Sequence, residues 1–301
     1  MTGRIPRRAR LAAALPVLLA AGLAACGGGA YRREVDEWHE KRLERLRSPE
    51  GWLSLVGLFR LEEGANTFGS AADNDFVFPE KAPAHAGVLR LEGGVVTVEP
   101  SGDAGITVDG KPVAPMPLAS DTTGAPTVLE MGPLRFYVIA RPSGLFVRLK
   151  DREAELISLF ESIERYPVRE KYRVAARFEP YEPSKMLTIP NIMGYESIEA
   201  CPGALVFTLD GQAYRLEPTV SGDEFFVVFG DETSGVETYG GGRYLYTAMP
   251  DAEGRVILDF NRAYNPPCIF THFATCALPH ADNILPVRIE AGEKTWEGAS
   301  H

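Results

Sequence analysis

The sequence predicts a mainly β protein, with an N-terminal β-sandwich, a C-terminal antiparallel β domain and one helix ahead of both. Three observations carry this. The 301-residue chain holds 30 glycines and 23 prolines, a turn-rich composition. Short runs of branched and aromatic residues recur between Gly, Asp and Asn clusters. Only Tyr31 to Arg47 shows convincing helical spacing, with Val35, Trp38, Leu43 and Leu46 on one face and Ser48-Pro49 as the stop.

Residues 1–25 read as a targeting segment. Arg4, Arg7, Arg8 and Arg10 make a positive start, and Leu11 to Ala21 is an apolar core too short to cross a bilayer as a permanent helix. It leads into Leu23-Ala24-Ala25-Cys26 and three glycines, which resembles a bacterial lipobox with Cys26 as the lipidated residue. An ordinary secretory signal is the plainer alternative, but it leaves Cys26 unexplained. Arg7-Arg8 also fits twin-arginine export. Lipid anchoring places the protein in the bacterial cell envelope, exported and facing the periplasm or the surface, with acyl chains such as palmitate holding it to the membrane. Residues 26–50 are then the anchor and helix, whose charged run from Arg32 to Arg47 reads as a solvated face.

Residues 51–150 form the first β unit. Val88 to Leu91 and Val95 to Val98 flank Gly93-Gly94, a hairpin signal, and Asp109-Gly110 is a second tight turn. Leu134 to Ala140 and Leu145 to Leu149 close this unit. Asp151 to Arg165 fits a short helix or a packed connector. Residues 151–301 continue in strands, with Asp210-Gly211 as another hairpin turn. Tyr244 to Met249 and Arg255 to Phe260, separated by Pro250, Asp251 and Gly254, read as a hairpin. Alternation puts Val256, Leu258 and Phe260 on one face, and Asp259 beside Asn261 on the other. The loop from Ala263 to Cys268 contains Pro266-Pro267 and cannot continue a central strand.

Candidate site residues concentrate between Phe229 and Cys276. Asp231 and Asp259 are the catalytic candidates, since two carboxylates facing one cleft can divide acid and base roles. Thr233, Tyr239, Arg243, Asn261, Tyr264 and Asn265 are the ligand-binding candidates. Gly240-Gly241-Gly242 before Arg243 offers backbone N–H groups and a guanidinium for an anion. No lysine followed by serine or threonine comes after these glycines, and neither a Gly-x-Ser-x-Gly elbow nor a metalloprotease helix is present. The alternative is internal bracing, in which these polar groups satisfy irregular loops.

In an oxidising compartment Cys268 and Cys276 are spaced to close a small loop by disulfide, while Cys201 reads as a small buried hydrophobe. A metal held by Cys268, Cys276 and His272 matches no standard zinc spacing, so no metal and no cofactor are expected. The net charge of −10, more acidic once the basic leader is removed, argues against nucleic acid as a partner.

Two resemblances add to this reading. TSGVETYGGGRYL, LDFNRAYNPPC, ATCALP and DNILPVRIEAGEK, with GWLSLVGLFRLEEGANTFGS near the start, resemble an uncharacterised bacterial family, domain of unknown function 1684. That resemblance implies no activity. His272 and His280 stand where it leads one to expect proline, which sets them apart from anything the family does in common. Leu61 to Val147 resembles a degenerate forkhead-associated sandwich, with Ser70 and Pro83 or Ala84 where that family binds phosphothreonine through an arginine and a serine. His85 is then a structural histidine.

Together these readings describe a lipid-anchored envelope protein that binds a small anionic or carbohydrate-like envelope ligand. An envelope hydrolase using the paired aspartates is the alternative.

Overall fold

The computed structural model describes residues 20–298, with side chains from Gly28 onward. The leader expected over the first residues, and the side chain of Cys26, lie outside these. The protein is mainly β, with one long N-terminal helix, α1 (Ala20–Arg47), which begins earlier than the apolar spacing alone indicates. No helix among the described residues is long and apolar enough to cross a membrane.

In the first half, a six-stranded sheet faces a five-stranded one. The longest strands of the former are Leu134–Arg141 and Gly144–Asp151, and the latter is centred on Gly64–Gly69, Gly87–Glu92 and Val95–Pro100. Their inward residues share one core, in which Phe68, Leu89 and Val98 from one sheet meet Leu134, Phe136 and Leu149 from the other. Period-two alternation drives this arrangement, because each strand has one apolar face that only another sheet can cover. The turns follow the glycines. Gly93 and Gly94 take φ of 56° and 84° between paired Glu92 and Val95.

In the second half, strands Gln212–Leu216, Glu196–Leu209, Arg173–Pro190 and Arg255–Asp259 form one sheet. Thr219–Ser221, Glu224–Asp231, Arg243–Ala248 and the parallel Ile284–Leu285 form the other. They enclose a second core in which Leu205, Phe207 and Leu258 meet Phe225, Val227 and Leu245. The Asp210-Gly211 turn, with φ of 49° and 81°, closes a hairpin as expected.

The hairpin expected from Tyr244 to Phe260 does not form. Arg243–Ala248 pairs with Glu224–Asp231, whereas Arg255–Asp259 pairs with Arg173–Pro190 in the opposite sheet. The turn between them, held by Asp251 accepting from the backbone N–H groups of Glu253 and Arg255, carries the chain from one sheet to the other. Val256 and Leu258 face inward as expected, toward a core built by both sheets.

The ambiguous stretch from Asp151 contains a short helix, α2 (Glu155–Leu159). It packs beside α1, whose Leu43 and Leu46 meet Leu53, Phe160, Ile163, Ile269 and Phe270 in a separate apolar cluster. The charged run of α1 is not wholly a solvated face, because His39 and Arg42 are buried against the second half.

Candidate functional site

Arg243 is fully buried and turns inward. Its guanidinium donates to Asp231 Oδ1 at 3.1 Å, to the Ile289 carbonyl at 3.1 Å and to the Ala291 carbonyl. Asp231 also accepts from Thr233 Oγ1 at 2.9 and 3.0 Å and from the backbone N–H of Ile289 at 2.7 Å. Thr233 Oγ1 lies 2.9 Å from Thr238 Oγ1. Burial pushes the Arg243 pKa down, opposed by the Asp231 charge. The glycine run before Arg243 serves packing. Gly242 has φ of 82°, and a Cβ there would lie 2.5 Å from Pro279 and 2.7 Å from the Phe229 carbonyl oxygen. The anion clamp that the glycines and Arg243 suggested is not assembled, because the guanidinium points into the core.

Asp259 belongs to a different group. It accepts from Tyr31 Oη at 2.6 Å and from the backbone N–H of Asn261 at 3.2 Å, and it pairs with Arg262 at 3.3 Å. Asn261 Nδ2 donates to Tyr31 Oη at 2.9 Å and to the Arg169 carbonyl at 3.0 Å. Burial, then the hydrogen bond to Asp259, raises the Tyr31 pKa. The two aspartates therefore anchor separate networks, one inside the second core and one under α1.

The Cys268–Cys276 disulfide is not formed, and both residues are buried free thiols, as is Cys201. The Cys268 backbone N–H donates to Cys276 Sγ at 3.0 Å, and Tyr239 Oη donates to Cys268 Sγ at 3.5 Å. The hydrogen bond from Cys276 holds the Cys268 thiol below its ordinary range. The same bond, with burial, pushes Cys276 up. The loop that brings the two together is fixed by apolar packing against Val228 and Tyr244.

Tyr264 reaches an open cleft, while Asn265 is fully buried and borders only a smaller recess beside it. The Asn265 backbone is clamped by Glu293, whose Oε2 accepts its N–H at 2.7 Å, and by Arg42, which donates to its carbonyl at 2.9 Å. Arg42 forms a two-point pair with Glu293 and lies 4.4 Å from the Tyr264 ring centroid. Gly292 makes this close approach possible: its φ is 75°, and a Cβ there would lie 2.3 Å from the Ala263 carbonyl oxygen.

Above this clamp lies a cleft of about 660 Å³ between α1 and the strands around Tyr246. Trp38, Trp52, Tyr246 and Tyr264 supply its aromatic walls, and Arg42, Arg45, Arg262, Glu50 and Glu224 its charges. A contiguous recess of about 220 Å³, lined by Phe226, Tyr244, Asn265 and Phe270, opens from it. The Tyr246 and Tyr264 rings are stacked 6.4 Å apart at 10°. Trp52 is 37% exposed, with Arg148 5.4 Å from its ring centroid, and Tyr246 is 41% exposed, with Phe226 4.9 Å from it as well as Tyr264, so each ring is covered in part and open in part. Arg42 is neutralised by Glu293, whereas Arg45 is exposed and makes no hydrogen bond or ion pair among the described residues. Neither Asp231 nor Asp259 lines the cleft.

Trp38, Trp52, Arg45 and Tyr246 were not singled out from the sequence as site residues. The one signal available was that Trp38 and Trp52, two of only three tryptophans, flank the end of the helix. On an apolar helical face a tryptophan reads as core.

The structure is thus a two-unit β protein with an aromatic, arginine-bearing cleft where the N-terminal helix meets the second unit. Residues 158–294 match the family model described as Protein of unknown function (DUF1684), so the family resemblance holds over that segment. The match does not reach the motif at Gly51 to Ser70. The solution NMR structure of an uncharacterized protein from Haloarcula marismortui is similar at 27% identity, covering 47% of this chain and 80% of that one, with a TM-score of 0.40. No curated protein matches.

Two outcomes follow from these networks. Arg243→Ala leaves Asp231 buried without its counter-charge and lowers stability by about 3–5 kcal/mol. Denaturant unfolding checks this, and Arg243→Met combined with Asp231→Leu costs less than the two single changes added together. His39 is buried, with its Nδ1 3.8 Å from Glu293 Oε1, and burial lowers its pKa despite that carboxylate. The unfolded chain therefore takes up this proton first as pH falls. Stability is complete above the ordinary imidazole value of about 6.5 and declines below it. His39→Gln flattens the stability profile below about pH 6.5.

Proposed function

We propose that the protein is a lipid-anchored cell-envelope binding protein, holding a small anionic or carbohydrate-like ligand in the cleft between α1 and the second β unit. The observation that carries this reading is an exposed aromatic surface, Trp52 and Tyr246, set beside an unpaired cation, Arg45. Flat aromatic faces take the apolar side of a sugar ring, and a guanidinium takes a carboxylate or phosphate with two donors. Glu224 at the rim accepts from hydroxyl groups. Binding rather than turnover is favoured because Arg42, the buried charge in the cleft wall, is already neutralised by Glu293 behind it, and neither catalytic candidate reaches the cleft.

The full chain in detergent, titrated with a uronic-acid oligosaccharide and with a neutral oligosaccharide, tests the reading by tryptophan fluorescence. Trp52→Ala weakens both by roughly tenfold, about 1.4 kcal/mol. Arg45→Ala weakens only the acidic one. Absence of saturable binding by either probe, or binding indifferent to Trp52, overturns it.

The anchor has its own test. Cells fed labelled palmitate incorporate it into the wild type and not into Cys26→Ser, and only the wild type stays with the membrane fraction. Equal labelling of both removes the lipidation reading.

A further inference from the structure

A second cluster of chemically active side chains lies away from this cleft. Glu217 follows strand Gln212–Leu216, and His280 and Asp282 sit at the short turn Ala281–Asn283. One donor atom from each of these three residues lies within 4.8 Å of the others. Asn283 fixes the turn against Glu217. Its Oδ1 accepts the Glu217 backbone N–H at 2.7 Å, and its Nδ2 donates to the carbonyls of Glu217 at 3.0 Å and Val228 at 2.9 Å.

Two features of this cluster point to a ligand. The His280 side chain is only 10% exposed, and its Nε2 is buried, makes no hydrogen bond, and sits 3.9 Å from Glu217 Oε2. A buried polar atom left unpaired is costly, and coordination removes that cost. The second feature is the cation already present. Lys185 Nζ lies 2.7 Å from Glu217 Oε2 and 3.1 Å from Asp282 Oδ2, with its side chain 42% exposed. The carboxylates thus hold a positive charge whose carrier has room to swing into solvent. Beside them a pocket of about 250 Å³, walled by Ile189, Val220 and Val228, is bordered by Glu217 and His280.

We propose that Glu217, His280 and Asp282 form a divalent transition-metal site, with Lys185 as the internal cation that the metal displaces. One imidazole nitrogen and two carboxylate oxygens suit Zn²⁺ or Co²⁺. Three protein ligands leave a coordination position free toward the pocket, where water or a small ligand completes the sphere. Modest side-chain rotation closes the donors onto a metal, because Asp282 is exposed and can move while Glu217 and its turn are latched by Asn283. Tyr181 Oη, donating to Glu217 Oε1 at 2.5 Å, orients that carboxylate from behind.

Calorimetric titration of the full chain with Zn²⁺, and absorption spectroscopy with Co²⁺, test this. One equivalent binds. His280→Ala and Asp282→Asn each weaken binding by at least ~10-fold, and Lys185→Met tightens it severalfold by removing the competing cation. Thermal unfolding without metal shows whether His280→Ala folds; if it does not, Asp282→Asn, at an exposed position, and Lys185→Met decide. The Co²⁺ spectrum lacks a thiolate charge-transfer band. No saturable binding in wild type and Lys185→Met, binding undiminished by the His280 and Asp282 changes, or a thiolate band from the cysteines each overturns the proposal.

Discussion

A guanidinium with no access to water is the constraint around which the second half is built. Arg243 is the largest fully buried side chain, and a charge in that position is tolerated only if its surroundings replace the solvent it lost. Asp231 supplies the counter-charge, the carbonyls of Ile289 and Ala291 supply acceptors, and the Phe229 ring lies 5.2 Å from the charge. Meeting those demands brings together the end of strand Glu224–Asp231, the start of strand Arg243–Ala248 and the C-terminal segment around residue 290. Once that segment is placed, Glu293 follows at a fixed position.

Glu293 in turn explains how α1 docks. Its carboxylate is 1% exposed and is met by Arg42 from the helix and by the Asn265 backbone. Tyr31 on the same helix reaches Asp259 and Asn261, and Arg262 reaches Glu34. The helix is therefore held by polar contacts along one flank and by Leu43 and Leu46 in an apolar cluster on another. The gap left between these attachments is the aromatic cleft. Its shape depends on buried ionic contacts, whereas Trp52, Tyr246 and Arg45 in its walls take part in none of them. That division separates a scaffold of saturated charges from a surface with unused bonding capacity.

The same distinction applies to the Glu217 pocket, with one difference. There the carboxylate is saturated by a lysine and a tyrosine, yet the neighbouring imidazole nitrogen is not. Expecting no metal from the sequence rested on the spacing of Cys268, Cys276 and His272. The cluster around Glu217 draws its members from residues 181 to 282, a separation no spacing rule addresses.

What the sequence determined by itself was local. Gly93-Gly94 and Asp210-Gly211 marked turns because positive φ is cheap there, alternation at Val256 and Leu258 marked an inward face, and the Leu43–Leu46 stripe marked a packed helix. Tertiary structure decided which strand each face met. Arg243–Ala248 and Arg255–Asp259 are joined by a good turn, yet they pair in opposite sheets because each finds its apolar and hydrogen-bonding partner in a distant strand. It also decided that Arg243 would turn toward Asp231 and away from solvent, and that Trp38, Trp52, Tyr246 and Tyr264 would meet across some two hundred residues of chain. Residue types fix what a side chain can bond to, but only the packed fold fixes which of those bonds are already made.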